Sequence, residues 1–242
     1  MKVAIVTGGA RGIGKGIAAA LLKQGFKVAL VDLLAEEVQR TAAGFGPDAM
    51  GLAGDVADHA LAKRQAQQVV AQWNRIDVLV NNAGIGQPKP FMELTEADWD
   101  RTLAVHMKGA FNWAQAVVPA MRAVGEGRIV NISSVSAHTG GAMAVSKTAY
   151  AAAKAGLLGF TRGLARELAP TITTNAICPG SIETDLTRAK FDEIRPQMLA
   201  SIPVGRVGTP ADIGEVVAFL ATVTPNFLNG EVIDVDGGQW VN

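Results

Sequence analysis

The chain has 242 residues, 49% of them hydrophobic and 5% aromatic, with 22 basic side chains balanced by 22 acidic ones. That length suits one large α/β domain, and the neutral balance, with no basic run or interleaved aromatic stripe, argues against a nucleic-acid partner. The one cysteine, Cys178, has no internal disulfide partner, and His59, His106 and His138 show no metal-ligand spacing. The apolar start at residues 1–6 is too short for a signal peptide or a membrane span. A cytoplasmic protein without a metal or a membrane partner is expected.

Short β-branched runs alternate with alanine-rich stretches of helical spacing. Strands are predicted at 3–7, 28–32, 49–55, 78–81, 129–133, 172–177 and 232–235, and helices at 13–24, 35–43, 59–73, 96–121, 154–168 and 210–220. Strands that are apolar on both faces and separated by helices predict a parallel sheet covered on both sides. Right-handed crossovers then give a doubly wound Rossmann fold of about seven strands. No linker or repeat interrupts the pattern, so a single domain over residues 1–242 is expected. Residues 183–203 exceed an ordinary connection and mix charge with apolar side chains, which suggests a mobile substrate lid.

The first strand runs into Thr7-Gly8-Gly9-Ala10-Arg11-Gly12-Ile13-Gly14 and then into a helix. Glycines at 8, 12 and 14 permit a tight turn, close backbone approach to a pyrophosphate and close helix–strand packing. The helix N-terminus supplies free N–H groups and a positive dipole end. Asp32 ends the second strand, where a carboxylate accepts both ribose hydroxyls of NAD and repels the 2′-phosphate of NADP. Arg11 pulls the other way, because its guanidinium can pair with that phosphate. NAD is therefore the expected cofactor and NADP the lesser one. Asp55 is open to two readings: a partner for the adenine edge, or a cap for the segment that follows.

Tyr150 is the only tyrosine, and it precedes Lys154 by four residues, with Ala151, Ala152 and Ala153 between them. In a helix both side chains leave the same face. A nearby ammonium favours the phenolate, which is expected to bring the phenol down from pKa ~10 toward neutrality and make it a proton donor and acceptor. Without further context, the same spacing describes an amphipathic helix with a half-buried phenol.

Several motifs then converge, and the chain resembles the short-chain dehydrogenase/reductase family. The glycine turn at 7–14, Asn81-Asn82-Ala83-Gly84 after the fourth strand, Ser134 after the fifth, Tyr150 with Lys154, Asn175-Ala176-Ile177-Cys178-Pro179-Gly180 followed by Thr184, and Asp234-Val235-Asp236-Gly237-Gly238 occur in order. The resemblance implies hydride transfer between a nicotinamide cofactor and a carbinol carbon. It makes Tyr150 the acid–base residue, Lys154 the group that keeps the phenol acidic and binds the nicotinamide ribose, and Ser134 the hydroxyl that steadies the substrate oxygen. Ser133 and Ser136 are neighbours that could be confused with Ser134. Cofactor contacts are expected from Gly8, Arg11, Gly12, Ile13, Gly14, Asp32, Asp55, Val56, Asn82, Ala83, Gly84, Tyr150, Lys154, Pro179, Gly180, Ile182 and Thr184.

Three departures from the family pattern stand out. His106 occupies the place of an asparagine that anchors a water in the family's proton path. An imidazole also holds a water, and it titrates near pH ~6.5; it either joins the proton relay or packs as a core histidine. Ser134 and Tyr150 are sixteen residues apart, a longer interval than the family pattern implies, which lengthens the loop expected to wall the substrate pocket. The nearest-looking branch contains the 3-oxoacyl-carrier-protein reductases, yet residues 124–127 carry no basic side chain for an acidic carrier, and Asp32 opposes NADPH. The preferred reading is thus an NAD-dependent dehydrogenase of a secondary alcohol of polyol, sugar or hydroxy-acid type. A 3-oxoacyl-[acyl-carrier-protein] reductase is the alternative, and a non-catalytic nucleotide-binding regulator is the reading from another class.

Substrate-pocket candidates are His138, Met143, Lys147, Ser181 and Leu186. The helical segments 96–121 and 154–168 are apolar over much of their circumference, through Ala110, Ala114, Val117, Leu157 and Phe160 among others. That surplus suggests pairing with further copies, and the resemblance implies a homotetramer. A carrier-protein partner is not expected.

Overall fold

The computed structural model describes residues 1–141, 147–184 and 195–241. Seven strands form one sheet: β1 (Val3–Thr7), β2 (Lys27–Asp32), β3 (Ala49–Ala53), β4 (Val78–Asn81), β5 (Gly127–Ile132), β6 (Ile172–Pro179) and β7 (Val232–Val235). Their order is β3-β2-β1-β4-β5-β6-β7, and every pairing is parallel. The helices are α1 (Gly12–Lys23), α2 (Ala35–Phe45), α3 (His59–Trp73), α4 (Glu96–Leu103), α5 (Gly109–Val124), α6 (Ser136–Thr139), α7 (Thr148–Glu167) and α8 (Pro210–Thr222). This is the doubly wound fold that the alternating pattern predicts.

Side-chain alternation along the strands builds two cores, one on each face of the sheet. Ala4, Val6, Val28 and Leu30 pack on one side with Ile17 and Leu21 of α1 and Ile213 and Val217 of α8. Val3, Ile5, Ala29 and Leu79 face the other way and meet Trp113, Val117 and Met121 of α5. The strand order reverses between β1 and β4, so the crevice at their carboxyl ends is the natural ligand site. Among the described residues, no helix is long and apolar enough to cross a membrane.

Several boundaries differ from the sequence reading. β3 stops at Ala53, before Asp55, and β6 continues to Pro179. Asp58, not Asp55, caps α3, its carboxylate accepting from the Leu61 amide. The predicted helix 96–121 is three pieces, with a π-helical turn at Ala104–Lys108 between α4 and α5. A π turn inserts a residue into the helical ladder and often marks a functional site; here it carries His106. α7 starts at Thr148, so Tyr150 lies in its first turn rather than before the helix. Ala110, Ala114, Val117 and Leu157 are buried within the chain, so they supply no pairing face, whereas Phe111 remains 44% exposed. Of the expected lid, residues 185–194 lie outside the described residues.

Candidate active site

The glycine turn sits between β1 and α1. Gly8 and Gly12 have φ of 64° and 54°, the left-handed region that side chains disfavour. A Cβ on Gly8 would come within 2.9 Å of the Ala83 backbone, and one on Gly14 would collide with the Gly8 carbonyl. Asn82 ties the two loops together: its amide Nδ2 donates to the carbonyls of Thr7 and Gly8, at 2.9 and 3.1 Å. Thr7 Oγ1 accepts from the Asn82 and Ala83 amides. Arg11, at the N-cap of α1, makes no capping bond, which leaves the first helical N–H groups to a ligand.

Asp32 lies beside this turn. Its carboxylate accepts from the Ala10 amide at 3.1 Å and the Leu34 amide at 3.1 Å, so both oxygens are fixed at the end of β2. Asp55 accepts from the Ala57 amide and pairs with Arg101 at 2.8 Å. Burial pushes the Asp55 carboxyl up, but these hydrogen bonds and the guanidinium outweigh it and hold the group below the usual range. Arg101 has no motif of its own in the sequence; only the fold places it, 46 residues away, against Asp55.

At the other end of the crevice α7 presents Tyr150 and Lys154. The Ser134 side chain lies beside the Tyr150 phenol, near enough to pull its pKa down, and its oxygen accepts from the Ser136 amide. Ser133 points elsewhere: its hydroxyl is buried and donates to the Lys154 carbonyl at 2.8 Å. The choice between these neighbouring serines thus resolves on geometry. Lys154 is 4% exposed, and its ammonium donates to the Ile132 carbonyl at 2.7 Å while lying 5.6 Å from the Tyr150 ring centre.

The electrostatics run against one expectation. Burial pushes the Tyr150 phenol above its ordinary value, only partly offset by the Ser134 side chain. The ammonium of Lys154 does not bring it down; burial instead pushes Lys154 itself down to about 8. The physical reason is that both groups are desolvated together, and desolvation penalises the charged form of each.

His106 is 2% exposed and meets Tyr150 edge-on, with ring centres 5.2 Å apart and planes at 86°. Burial, reinforced by the charge of Lys154, pushes its imidazole down to about 3. The expected titration near neutrality therefore does not occur: the ring stays neutral. Its Nε2 faces Ile85, and Gly84 leaves the space it needs, since a Cβ there would come within 2.6 Å of the imidazole.

One continuous cavity of about 400 Å³ joins these parts, from Gly8, Arg11 and Asp32 through Asn82 to Ser134, Tyr150, Lys154 and Pro179. A glycine cradle without room for Cβ atoms, a fixed carboxylate at a strand end and a half-buried phenol beside a buried ammonium fit a nicotinamide dinucleotide laid along the crevice.

A family profile described as Enoyl-(Acyl carrier protein) reductase matches residues 8–239. The 3-oxoacyl-[acyl-carrier-protein] reductase FabG of Staphylococcus aureus is 40% identical, covering 99% of this chain and 98% of its own. The FabG of Vibrio cholerae is 37% identical, covering 99% and 98%. The chain belongs to the short-chain dehydrogenase/reductase family. A solved member, described as a glucose/ribitol dehydrogenase from Brucella melitensis, superposes with a TM-score of 0.92 at 32% identity, covering 100% of this chain and 97% of that one.

Within this family member, Gly8, Arg11, Gly12, Ile13, Gly14, Asp32, Asp55, Val56, Asn82, Ala83, Gly84, Pro179, Gly180, Ile182 and Thr184 all line the cavity, as do Ser134, Tyr150, Lys154, His106 and Ser181. Two predicted pocket residues do not line it. His138 bonds Asp234 at 3.2 Å and stacks on Trp240 with ring centres 5.8 Å apart, so its ring is engaged elsewhere. Lys147 forms the N-cap of α7, its amide donating to the Gln87 carbonyl. Met143 and Leu186 lie outside the described residues. The sequence reading missed Ile85, Val105 and Ser136, which also line the cavity; apolar or lone hydroxyl side chains next to motifs carry no pattern of their own.

Proposed function

We propose that this short-chain dehydrogenase/reductase interconverts 3-oxoacyl and 3-hydroxyacyl thioesters held on acyl carrier protein. The observation that carries this reading is the 40% identity to FabG of Staphylococcus aureus over 99% of the chain. That reading requires a carrier-protein partner, against the expectation drawn from the lack of basic side chains at residues 124–127, the short uncharged connection at Pro170-Thr171 and Asp32.

A bound nicotinamide dinucleotide supplies the hydride for reduction of the 3-oxo carbon or accepts it in the reverse direction. Tyr150 gives its phenol proton to the oxo oxygen as that oxygen gains charge, leaving an alcohol and a phenolate. Its raised pKa keeps that proton in place at neutral pH, which suits the reducing direction. Ser134 donates to the same oxygen and stabilises the charge that develops there. Lys154, still an ammonium at neutral pH though pushed down to about 8, returns a proton toward the phenolate. The Gly8–Gly14 turn would hold the phosphates of that cofactor, and Asp32 would accept from the adenosine ribose hydroxyls, which supports NAD over NADP.

A second reading, an NAD-linked dehydrogenase of polyols or other secondary alcohols, is favoured by Asp32 and by the description of the Brucella melitensis structure. A steady-state panel decides between them. The first reading expects turnover of a 3-oxoacyl thioester on acyl carrier protein far above that of ribitol, glucose or simple secondary alcohols, with NADH and NADPH compared side by side. Turnover confined to polyols would replace it with the second.

A further inference from the structure

Behind His106 lies a second, much smaller space of about 10 Å³, lined by Thr7, Asn81, Val105, His106 and Leu157 among others. Val56, Ala83, Val105 and His106 line both this space and the cofactor crevice, whereas Ser134, Tyr150 and Lys154 line only the crevice. Two buried polar atoms on its walls have no hydrogen-bond partner: Asn81 Oδ1 and His106 Nδ1. The residues are 6% and 2% exposed. A buried polar atom left unpaired destabilises the fold, so each calls for a partner.

The orientation of the Asn81 amide follows from its neighbours. The Leu157 carbonyl can only accept, so the Thr161 hydroxyl donates to it, at 2.7 Å. Thr161 Oγ1 then accepts from Asn131 Nδ2 at 2.9 Å. Asn131 Oδ1 in turn accepts from Asn81 Nδ2 at 2.9 Å. Each amide in this chain is held one way round. The atom that Asn81 turns to the cavity is therefore its oxygen, and it requires a donor.

We propose that a single water occupies this cavity, donating one hydrogen to Asn81 Oδ1 and the other to His106 Nδ1, and that Asn81 is thereby a positioning residue for His106. The volume admits about one water, and two to four polar partners are the usual requirement for a buried one. With Nδ1 accepting, the imidazole carries its hydrogen on Nε2 and donates to the Ile85 carbonyl, the shorter of its two contacts with that residue. The hydrogen-bond chain then runs from Leu157 in α7 across β5 and β4 to the π turn. It fixes the ring that meets Tyr150 edge-on. Asn81 acts through the water and His106, without touching substrate or cofactor.

Two measurements on the wild-type protein test this without any substrate, so they stand apart from the proposed activity. A high-resolution crystal structure is expected to show one density peak within hydrogen-bond distance of both Asn81 Oδ1 and His106 Nδ1. Nitrogen-15 NMR of labelled histidine is expected to place His106 wholly in the Nε2–H form. In Asn81→Leu the peak is lost and the His106 nitrogen signals move toward a mixture of tautomers, whereas Thr161→Ser, which keeps the hydroxyl, leaves both unchanged. A dry cavity, a direct Asn81–His106 bond, or a protonated Nδ1 in the wild type overturns the proposal even if the leucine variant fails to fold.

Discussion

The Nε2 atom of His106 lies 2.9 Å from the carbonyl oxygen and 3.2 Å from the amide nitrogen of one residue, Ile85. A single ring nitrogen serves as donor or acceptor but not both, so one of the two Ile85 groups goes unmatched. An asparagine offers an oxygen and an NH₂ together, and His106→Asn can satisfy both. The imidazole is pushed down to about 3 in the folded protein, against ~6.5 in an unfolded chain. Between those values the unfolded chain binds a proton that the folded one refuses, so stability falls as pH drops through that window. His106→Asn removes this loss. Its acid-unfolding midpoint is expected at lower pH than the wild type, and the neutral and alkaline limbs of the pH–rate profile stay in place. Circular dichroism across an acid titration checks the first, and initial rates the second.

Tyr150→Phe keeps the ring beside His106 and removes the hydroxyl placed to move the substrate proton. The expected fall in kcat is about 10²–10⁴-fold, with cofactor affinity within a few-fold of wild type. Loss of binding and rate together would mean that the phenol serves the cofactor instead. Because burial raises the phenol, alcohol oxidation, which needs the phenolate, is expected to accelerate with pH into the alkaline range. Oxidation rates that decline there would contradict this.

Lys154 is buried and pushed down to about 8, well below the ~10.4 of a free lysine. As pH falls from ~10 to ~8 the unfolded chain takes up a proton before the folded one does, so the fold loses stability over that interval and carries the full penalty at neutral pH. Lys154→Met fills similar space without the charge. It is expected to unfold at higher urea concentration than the wild type at neutral pH, by about 1–3 kcal/mol, while turnover collapses. A variant less stable than the wild type would show that the Ile132 hydrogen bond outweighs desolvation.

Asp32 has its two oxygens fixed by the Ala10 and Leu34 amides. Asp32→Ser removes the charge and keeps a hydroxyl. The ratio of kcat/KM for NAD to that for NADP is expected to fall by about tenfold or more, through weaker NAD binding and relieved repulsion of the 2′-phosphate. Arg11 and Arg101 are the guanidinium groups lining this end among the described residues, and Arg101 is paired with Asp55. An unchanged ratio would place the discrimination elsewhere.

Gly14 admits no side chain, because a Cβ there would meet the Gly8 carbonyl and Asn82 Nδ2. Gly14→Ala is expected to push α1 off the turn and cost cofactor affinity by at least tenfold, read by quenching of intrinsic fluorescence. The equivalent change at Gly44, which has open space around it, is expected to leave affinity alone.

Local pattern was enough for what local pattern controls. Apolar alternation and helical spacing gave the seven strands and the parallel sheet, because burial on two faces dictates which residue types such strands contain. The glycine turn, Asp32, Asn82, Ser134, Tyr150 and Lys154 were legible because their chemistry demands particular side chains at set positions along the chain. What the tertiary structure decided was where each of those groups points and how much water it keeps. The sequence places Lys154 one turn from Tyr150; the fold turns its ammonium to the Ile132 carbonyl and buries it. The sequence places a titratable imidazole at 106; the π turn buries it beside Lys154 and takes its titration out of the neutral range. His138 looked like a pocket residue, and a partner distant in the chain, Asp234, engages its ring; the Lys147 backbone amide is tied to the Gln87 carbonyl. Spacing is a property of neighbours along the chain, whereas desolvation and hydrogen-bond partnership depend on groups dozens of residues away that only packing brings together.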